Sequence, residues 1–429
     1  MLSFREHEIF HVEEEKLRKL LMDQMRGVEK TQCLRDIRLM GMDYDFRQDE
    51  FFMSYYVGAD WIDKRHSKAI VVRPKISGLD FQTMFMRCFA CEKVNKDLDK
   101  LFYIRTEDKP IEIDSHDFQL EPLLIVYFMN VVKRIVKKGL KSGYVTHEER
   151  LTSKIKGKIL FSQYIKHGFA QGRKDSVDCR FQEYEIDCLE NRILKAALSY
   201  CRGMIIRQSQ ALGMHFQPLV NMYNECMPAF ENVSSEISIQ DLSRIHLNPM
   251  FKDYREAMPL AKMIIRKQGK CVGDGDDGLQ KFPPFIIDMP VLFERYVYAL
   301  LAERYDTSLI GYQEAVRGNI IDFSKKDEHM IIDTKYIPRW DEGVIHENVR
   351  QLSGYARHKR IRTNFLNCQD EEFVSPCMVI YPSKEGVENI MDFPDRLLLG
   401  NGELNSDKIG VISEYQKFYK LPIKLPVIE

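Results

Sequence analysis

Short apolar runs separated by polar turns dominate the first hundred residues. Phe51-Phe-Met-Ser-Tyr-Tyr-Val57 and Ala69-Ile-Val-Val-Arg-Pro74 are too brief for helices and rich in β-branched and aromatic residues, so they predict strands. One helix is expected among them, near Glu13 to Met25. The apolar density then rises from Gln119 to Leu140, a stretch without glycine until its end. Lys133, Arg134, Lys137 and Lys138 gather towards that end, where positive charge complements the dipole of a buried helix. Between Gln182 and Gln210, Leu189, Ile193, Ala196, Ala197 and Tyr200 recur at three- and four-residue spacing and predict another helix.

The segment from Lys267 to Phe285 is the richest in Gly, Asp and Pro and marks a boundary. Three regions follow: a β-rich N-terminal module at 1–118, a mainly helical middle at 119–275, and a last domain at 276–429. Asp274, Asp276 and Asp277 do not follow the ligand order of a calcium-binding EF-hand loop, and no Glu closes the loop at its twelfth position. The last domain should start with a helix over Met289 to Tyr305. Strands are expected at Ser308 to Val316, Asn319 to Ser324 and His329 to Ile337, then a helix near Ile345 to Lys359 and a strand at Pro376 to Pro382. The overall expectation is a multi-domain α/β protein.

The chain of 429 residues, 44% hydrophobic and 30% charged, is long enough for two or three cores and unlike a disordered or fibrous protein. With 63 Lys and Arg against 64 Asp and Glu, it has no global field to draw it onto nucleic acid, so any DNA contact must be local or borrowed. The first residues do not read as a secretion signal, and the most apolar run, Leu123 to Val132, is too short to cross a bilayer. A cytoplasmic protein with no membrane partner is expected. Ten scattered cysteines fit reduced thiols. Cys88 and Cys91 have metal-like spacing, yet no second pair stands near them, so two thiols are the simpler reading.

The chemistry concentrates in Gly318-Asn-Ile-Ile-Asp-Phe-Ser-Lys-Lys-Asp-Glu-His-Met-Ile-Ile-Asp-Thr-Lys-Tyr336. A hairpin turning at Asp327-Glu328 places Asp322 opposite Asp333. Like charges so placed destabilise a bare sheet, whereas a divalent cation between them converts repulsion into coordination. Alternation puts Lys335 on the face of Asp333 and turns Thr334 away. Two carboxylates and an amine on one face suit phosphodiester hydrolysis with Mg²⁺, which takes hard oxygen ligands and keeps several waters; Mn²⁺ should substitute. Lys335 would orient the attacking water or stabilise the growing charge. Solvated surface charge is the plain alternative, but Met330-Ile-Ile332 leads Asp333 into a core, where an unpaired charge is costly. Gln351 and Tyr355 share a helix face, and Glu294 on the first helix is placed to add a carboxylate; surface positions are the alternative for all three. Lys154, Lys156 and Lys158 alternate as on a solvated hairpin face, and a contact to a partner or DNA is the sharper reading.

In the order Asp322, Asp333-Thr-Lys335, Gln351-Leu-Ser-Gly-Tyr355, the sequence resembles the PD-(D/E)XK nuclease superfamily, and more closely the McrC family of restriction subunits. Ile321 stands where a proline is usual before the first Asp and touches no ligand. The likeness extends to Ile287-Asp-Met-Pro-Val-Leu-Phe-Glu-Arg-Tyr296, Lys154-Ile-Lys-Gly-Lys-Ile-Leu160, Glu190-Asn-Arg-Ile-Leu-Lys195, Tyr55-Tyr-Val-Gly-Ala59 and Val72-Arg-Pro-Lys75. It implies a restriction-endonuclease-like last domain with a mixed sheet flanked by helices. It also implies an N-terminal part that docks onto an McrB-like AAA+ GTPase ring, and a prokaryotic complex directed at double-stranded DNA carrying modified cytosine. The chain lacks a Gly-x-x-x-x-Gly-Lys-Ser/Thr loop, so the motor would be a separate subunit. A stand-alone repair or recombination nuclease, and a catalytically silent adaptor of the GTPase, are the rival expectations.

Overall fold

The computed structural model describes all residues except 26–32, 64, 66–67, 95–99, 115–117, 119, 168–174, 246–248, 271–278, 338–341, 371, 389–392, 394–395, 399–408 and 429. The acidic loop at Asp274, Asp276 and Asp277 lies outside the described residues. The chain forms two compact units: Met1–Pro122 with Asp276–Glu429, and Leu123–Gly275.

In the first unit, the N-terminal segments are β1 (Leu2–Arg5), β2 (Ile9–Phe10), α1 (Glu15–Met25), β3 (Asp43–Asp45), β4 (Glu50–Phe52), β5 (Tyr56–Trp61), β6 (Ala69–Arg73), α2 (Phe81–Ala90), β7 (Phe102–Ile104) and β8 (Ile111–Asp114). The apolar run at Phe51 to Val57 is thus two strands with a break between them. Helix α2 begins at Asp80, whose side chain accepts from the Thr83 amide. Burial raises the Cys88 thiol on this helix to about 12, which keeps it protonated.

The second unit contains α3 (Glu121–Lys138), β9 (Gly143–Thr152), β10 (Lys158–Ile159), α4 (Phe161–His167), β11 (Ser176–Glu185), α5 (Leu189–Leu212), α6 (Gln217–Cys226) and α7 (Lys252–Lys270). The expected helix over Gln182 to Gln210 is therefore corrected: Gln182 to Glu185 finish a strand, and the helix starts at Leu189. Beside its helices the middle also holds β9 and β11, which pair over ten residues each. Strand β9 is exposed along one face, and on its covered face only Val145 and Leu151 are apolar among Gly143, His147 and Glu149, so the two-residue period is too sparse to announce it. The run Leu123 to Val132 is a buried helical segment, and no described helix is long and apolar enough to cross a membrane. Asn191 organises this unit. Its amide donates to the Lys141 and Ile186 carbonyls at 2.9 and 2.7 Å, and its oxygen accepts from Tyr254 at 2.7 Å.

The chain then returns to the first unit with β12 (Leu279–Phe282), β13 (Phe285–Asp288), α8 (Met289–Arg304), β14 (Ile310–Val316), β15 (Asn319–Lys325), β16 (Met330–Thr334), α9 (Glu342–Arg357), α10 (Lys359–Asn364), β17 (Cys377–Val387), β18 (Gly410–Val411) and β19 (Phe418–Ile423). Strand β13, which the sequence boundary at 276 groups with the last domain, sits inside the N-terminal sheet of order β1-β6-β5-β13-β7. Gly58 makes this insertion possible. At φ +145 it faces Ile286, and a Cβ there would lie 2.1 Å from the Phe285 carbonyl oxygen.

A second sheet has the order β14-β15-β16-β17-β19-β18. Its first three strands are antiparallel neighbours, while β16, β17 and β19 run parallel. Helix α8 lies on one face, where Tyr298 meets Tyr312 and Phe323. Helix α9 covers the other, its Val349 and Leu352 packing with Ile331, Cys377 and Val379. The mixed sheet with a helix on each face agrees with the expected α/β order.

Candidate active site

The β15–β16 hairpin is held by its turn. Lys325, 1% exposed, lies 2.8 Å from both Asp327 and Glu328, and Glu328 accepts the Leu397 and Leu398 amides at 3.0 and 2.7 Å. Three ladder pairs, Phe323 with Ile332, Ser324 with Ile331 and Lys325 with Met330, have the register that brings Asp322 opposite Asp333. The ladder stops one pair short of the aspartates.

Instead of facing a closed pair, Asp322 is bound by Thr334. The Thr334 amide and hydroxyl both donate to Asp322 Oδ2 at 2.8 Å. This corrects the expectation that Thr334 turns away from the site. Two carboxylates side by side repel each other, and a parted ladder leaves an amide that needs an acceptor; the Asp322 carboxylate meets that need. On its other side Asp322 is unpaired as well. Tyr312 pairs with Phe323 and Glu314 with Ile321, but Gln313 between them does not pair with Asp322 and adopts φ +46.

Asp333 is 3% exposed, with its Oδ2 2.8 Å from Lys335 Nζ. Burial, and then the charge of Asp322, push its carboxyl up to about 7 against the pull of Lys335. Burial works against the Lys335 ammonium, yet the charge of Asp333 and its hydrogen bond, followed by Asp322, raise it above its ordinary value. Glu294 on α8 is raised to about 7 by burial and by Asp322, while a 2.8 Å bond from Gln313 Nε2 draws it down. Helix α8 is fixed by its Asp288 cap on the Val291 amide, and by Arg295, which is 3% exposed and donates to the Val94 carbonyl at 3.0 Å.

On α9, Gln351 donates to the Tyr355 hydroxyl at 3.1 Å, and Tyr355 is near enough to Lys335 for their charges to interact. The structure thus assembles Glu294, Asp322, Asp333 and Lys335, with Tyr355 and Gln351 at their edge. Lys154, Lys156 and Lys158 belong to the second unit, where all three are exposed and Lys156 pairs with Glu183.

Gln313 and Thr334 were not readable as site residues. Nothing in Ile310-Gly-Tyr-Gln-Glu-Ala-Val316 marks the left-handed Gln313, and ideal alternation turns Thr334 the wrong way.

All the acidic donors here are hard carboxylate oxygens, and two of them are raised by a neighbour's negative charge. A divalent cation would relieve that repulsion, so the residues fit Mg²⁺. They do not form a tight three-carboxylate cage. Among the described residues, the group whose three ligand atoms all lie within 4.8 Å of one another is His147, Glu183 and Glu185 on the β9–β11 hairpin, where Glu183 is shared with Lys156.

The chain matches the family model described as "McrBC 5-methylcytosine restriction system component" over residues 53–366. No curated protein matches. Two solved structures are similar. One is a chain of the refined half-complex from the tetradecameric assembly of Thermococcus gammatolerans McrB AAA+ hexamers with bound McrC, at 16% identity and TM-score 0.33, covering 99% of this chain and 94% of that one. The other is a chain of the Thermococcus gammatolerans McrBC complex, at 18% identity and TM-score 0.28, covering 71% and 87%. Because the family model spans well over half of the sequence, including Asp322, Asp333 and Lys335, the chain belongs to the McrBC restriction system component family.

Proposed function

We propose that this chain is the Mg²⁺-dependent DNA endonuclease subunit of a GTP-dependent, modification-directed restriction complex. In this reading the last domain is of the PD-(D/E)XK type, and the chain works in the prokaryotic cytoplasm with an McrB-like AAA+ GTPase ring whose GTP hydrolysis it stimulates. The observation that carries the proposal is the convergence of Glu294, Asp322, Asp333 and Lys335 at the point where the β15–β16 ladder parts.

Asp322 and Asp333 would hold the ion, with Glu294 as a supporting carboxylate. When bound, Mg²⁺ neutralises charge on the scissile phosphate and makes a water more acidic; Mn²⁺ would do the same. Thr334 fixes the Asp322 carboxylate through two hydrogen bonds, and Gln313 fixes Glu294. The Lys335 ammonium, steered by Asp333, faces the attacked phosphate and stabilises the charge that grows there. Tyr355 and Gln351 border the amine and help to place the DNA strand. Double-stranded DNA carrying modified cytosine is the proposed substrate, in line with the family description.

The test uses the full chain with its GTPase partner, GTP and Mg²⁺ on DNA containing 5-methylcytosine. Asp333→Ala should lower cleavage at least a thousandfold while leaving the stimulated GTP hydrolysis in place. Undiminished cutting by this variant would refute the assignment.

A further inference from the structure

Behind the site lies a buried polar cluster that the proposed reaction does not use. Glu6 follows β1, and its amide donates to the Arg73 carbonyl at 2.9 Å, extending the parallel β1–β6 pairing by one residue. Its side chain is 2% exposed. Glu6 Oε1 accepts from the Tyr336 hydroxyl at 2.7 Å and from the Lys75 amide at 3.0 Å, while Oε2 is buried with no hydrogen-bond partner. Lys75 Nζ in turn donates to the Tyr336 carbonyl at 3.4 Å and stands 4.1 Å from the centre of the Tyr336 ring. Tyr336 is therefore held at its hydroxyl, its ring and its carbonyl, and it is the residue directly after Lys335.

A buried carboxylate at this place is costly unless its hydrogen bonds earn something that an apolar side chain would not provide. What they supply here is a fixed point. The Glu6 backbone is locked in a sheet, whereas the chain leaving β16 is held through its own amides by the Lys335 bond to the Ile380 carbonyl at 2.9 Å and the Ile337 bond to the Lys335 carbonyl at 2.9 Å. The Tyr336 ring also packs on Phe293, the neighbour of Glu294, at 5.8 Å. The cluster thus reaches the residues adjoining both ends of the carboxylate–amine set.

We infer that Glu6 is a positioning residue for cleavage: by accepting from Tyr336 and Lys75 it anchors the end of β16 to the N-terminal sheet and holds Lys335 in place. This inference rests on the nuclease reading above. It requires the acceptor oxygen of Glu6 and the hydroxyl of Tyr336, and it does not require the negative charge.

Glu6→Ala, Glu6→Gln and Tyr336→Phe test it in the full chain with its GTPase partner, GTP, Mg²⁺ and 5-methylcytosine DNA. Glu6→Ala and Tyr336→Phe should each lower kcat about tenfold with KM within about twofold, whereas Glu6→Gln should keep kcat within about threefold of the parent. Hydrogen exchange on the chain alone gives an independent reading: the Lys335 and Ile337 amides should exchange about tenfold faster in the first two variants and at the parent rate in Glu6→Gln. Unchanged exchange at these amides, or a Glu6→Gln variant as impaired as Glu6→Ala, overturns the inference. Should Glu6→Ala fail to fold, Tyr336→Phe decides alone, since it removes a single oxygen. If Asp333→Ala cuts as well as the parent, the nuclease reading fails while the exchange data still judge the anchor.

Discussion

Replacing Asp333 by Asn should abolish cleavage and yet make the metal-free protein more stable at alkaline pH. The carboxyl is 3% exposed and is displaced from its ordinary 3.8 to about 7, first by burial and then by Asp322. A raised acid holds its proton more tightly in the folded than in the unfolded chain. The stability this confers is complete below about pH 4 and is lost as pH climbs through 7. At roughly 1.4 kcal/mol for each tenfold change, the whole displacement amounts to about 4 kcal/mol by pH 8. Asn never ionises and escapes that loss; the pull of Lys335 at 2.8 Å is already contained in the displaced value, so the net gain at pH 8 is about 3–4 kcal/mol. Urea unfolding in the presence of a chelator, at pH 4 and pH 8, measures it. The two proteins should be nearly equal at pH 4 and differ by this margin at pH 8. A variant that is less stable at pH 8, or a difference independent of pH, would show that Asp333 is an ordinary structural carboxylate.

Three further outcomes follow from the same geometry. Because Asp333 and Glu294 are both raised to about 7, Mg²⁺ must displace protons, so its affinity by calorimetry should rise about tenfold per proton released between pH 6 and pH 8; a flat profile would contradict the raised values. Thr334→Val keeps the shape of the side chain but removes the hydroxyl bound to Asp322, and should cost about 1 kcal/mol of stability in chemical unfolding and slow cleavage about tenfold. Gln313→Gly relieves a left-handed backbone at φ +46 and should stabilise the fold by about 0.5–1 kcal/mol while lowering cleavage, because Glu294 loses its donor; a change in the same direction for both properties would refute that trade.

The sequence exposes the site where apolar runs fix the backbone. Met330-Ile-Ile332 and Ile320-Ile321 flank the aspartates, and with a turn at Asp327-Glu328 the register of β15 on β16 follows from pleat arithmetic. The same arithmetic fails at the end of the ladder, since it assumes ideal alternation and the strands part there. The long pairing of β9 with β11 was hidden for a different reason: the alternation of Val177, Cys179 and Phe181 is short and gives way to the polar Gln182 to Glu185, and β9 answers it with only Val145 and Leu151 on its covered face. Local pattern also cannot report a partner distant in sequence. Phe285-Ile-Ile-Asp288 looks like any buried strand, and its place between β5 and β7 depends on Gly58, more than two hundred residues earlier.

That placement governs how the polypeptide can be assembled. Until Phe285 to Asp288 have left the ribosome, the nascent N-terminal half lacks the strand that bridges β5 and β7, and both would present open hydrogen-bonding edges. Leu123–Gly275 can meanwhile collapse on its own contacts. The expected order of folding therefore runs from the inside outwards: the inserted unit first, the flanking body last. A fragment ending before residue 285 should accumulate as an aggregating species, whereas supplying the missing segment in trans should rescue it by strand complementation.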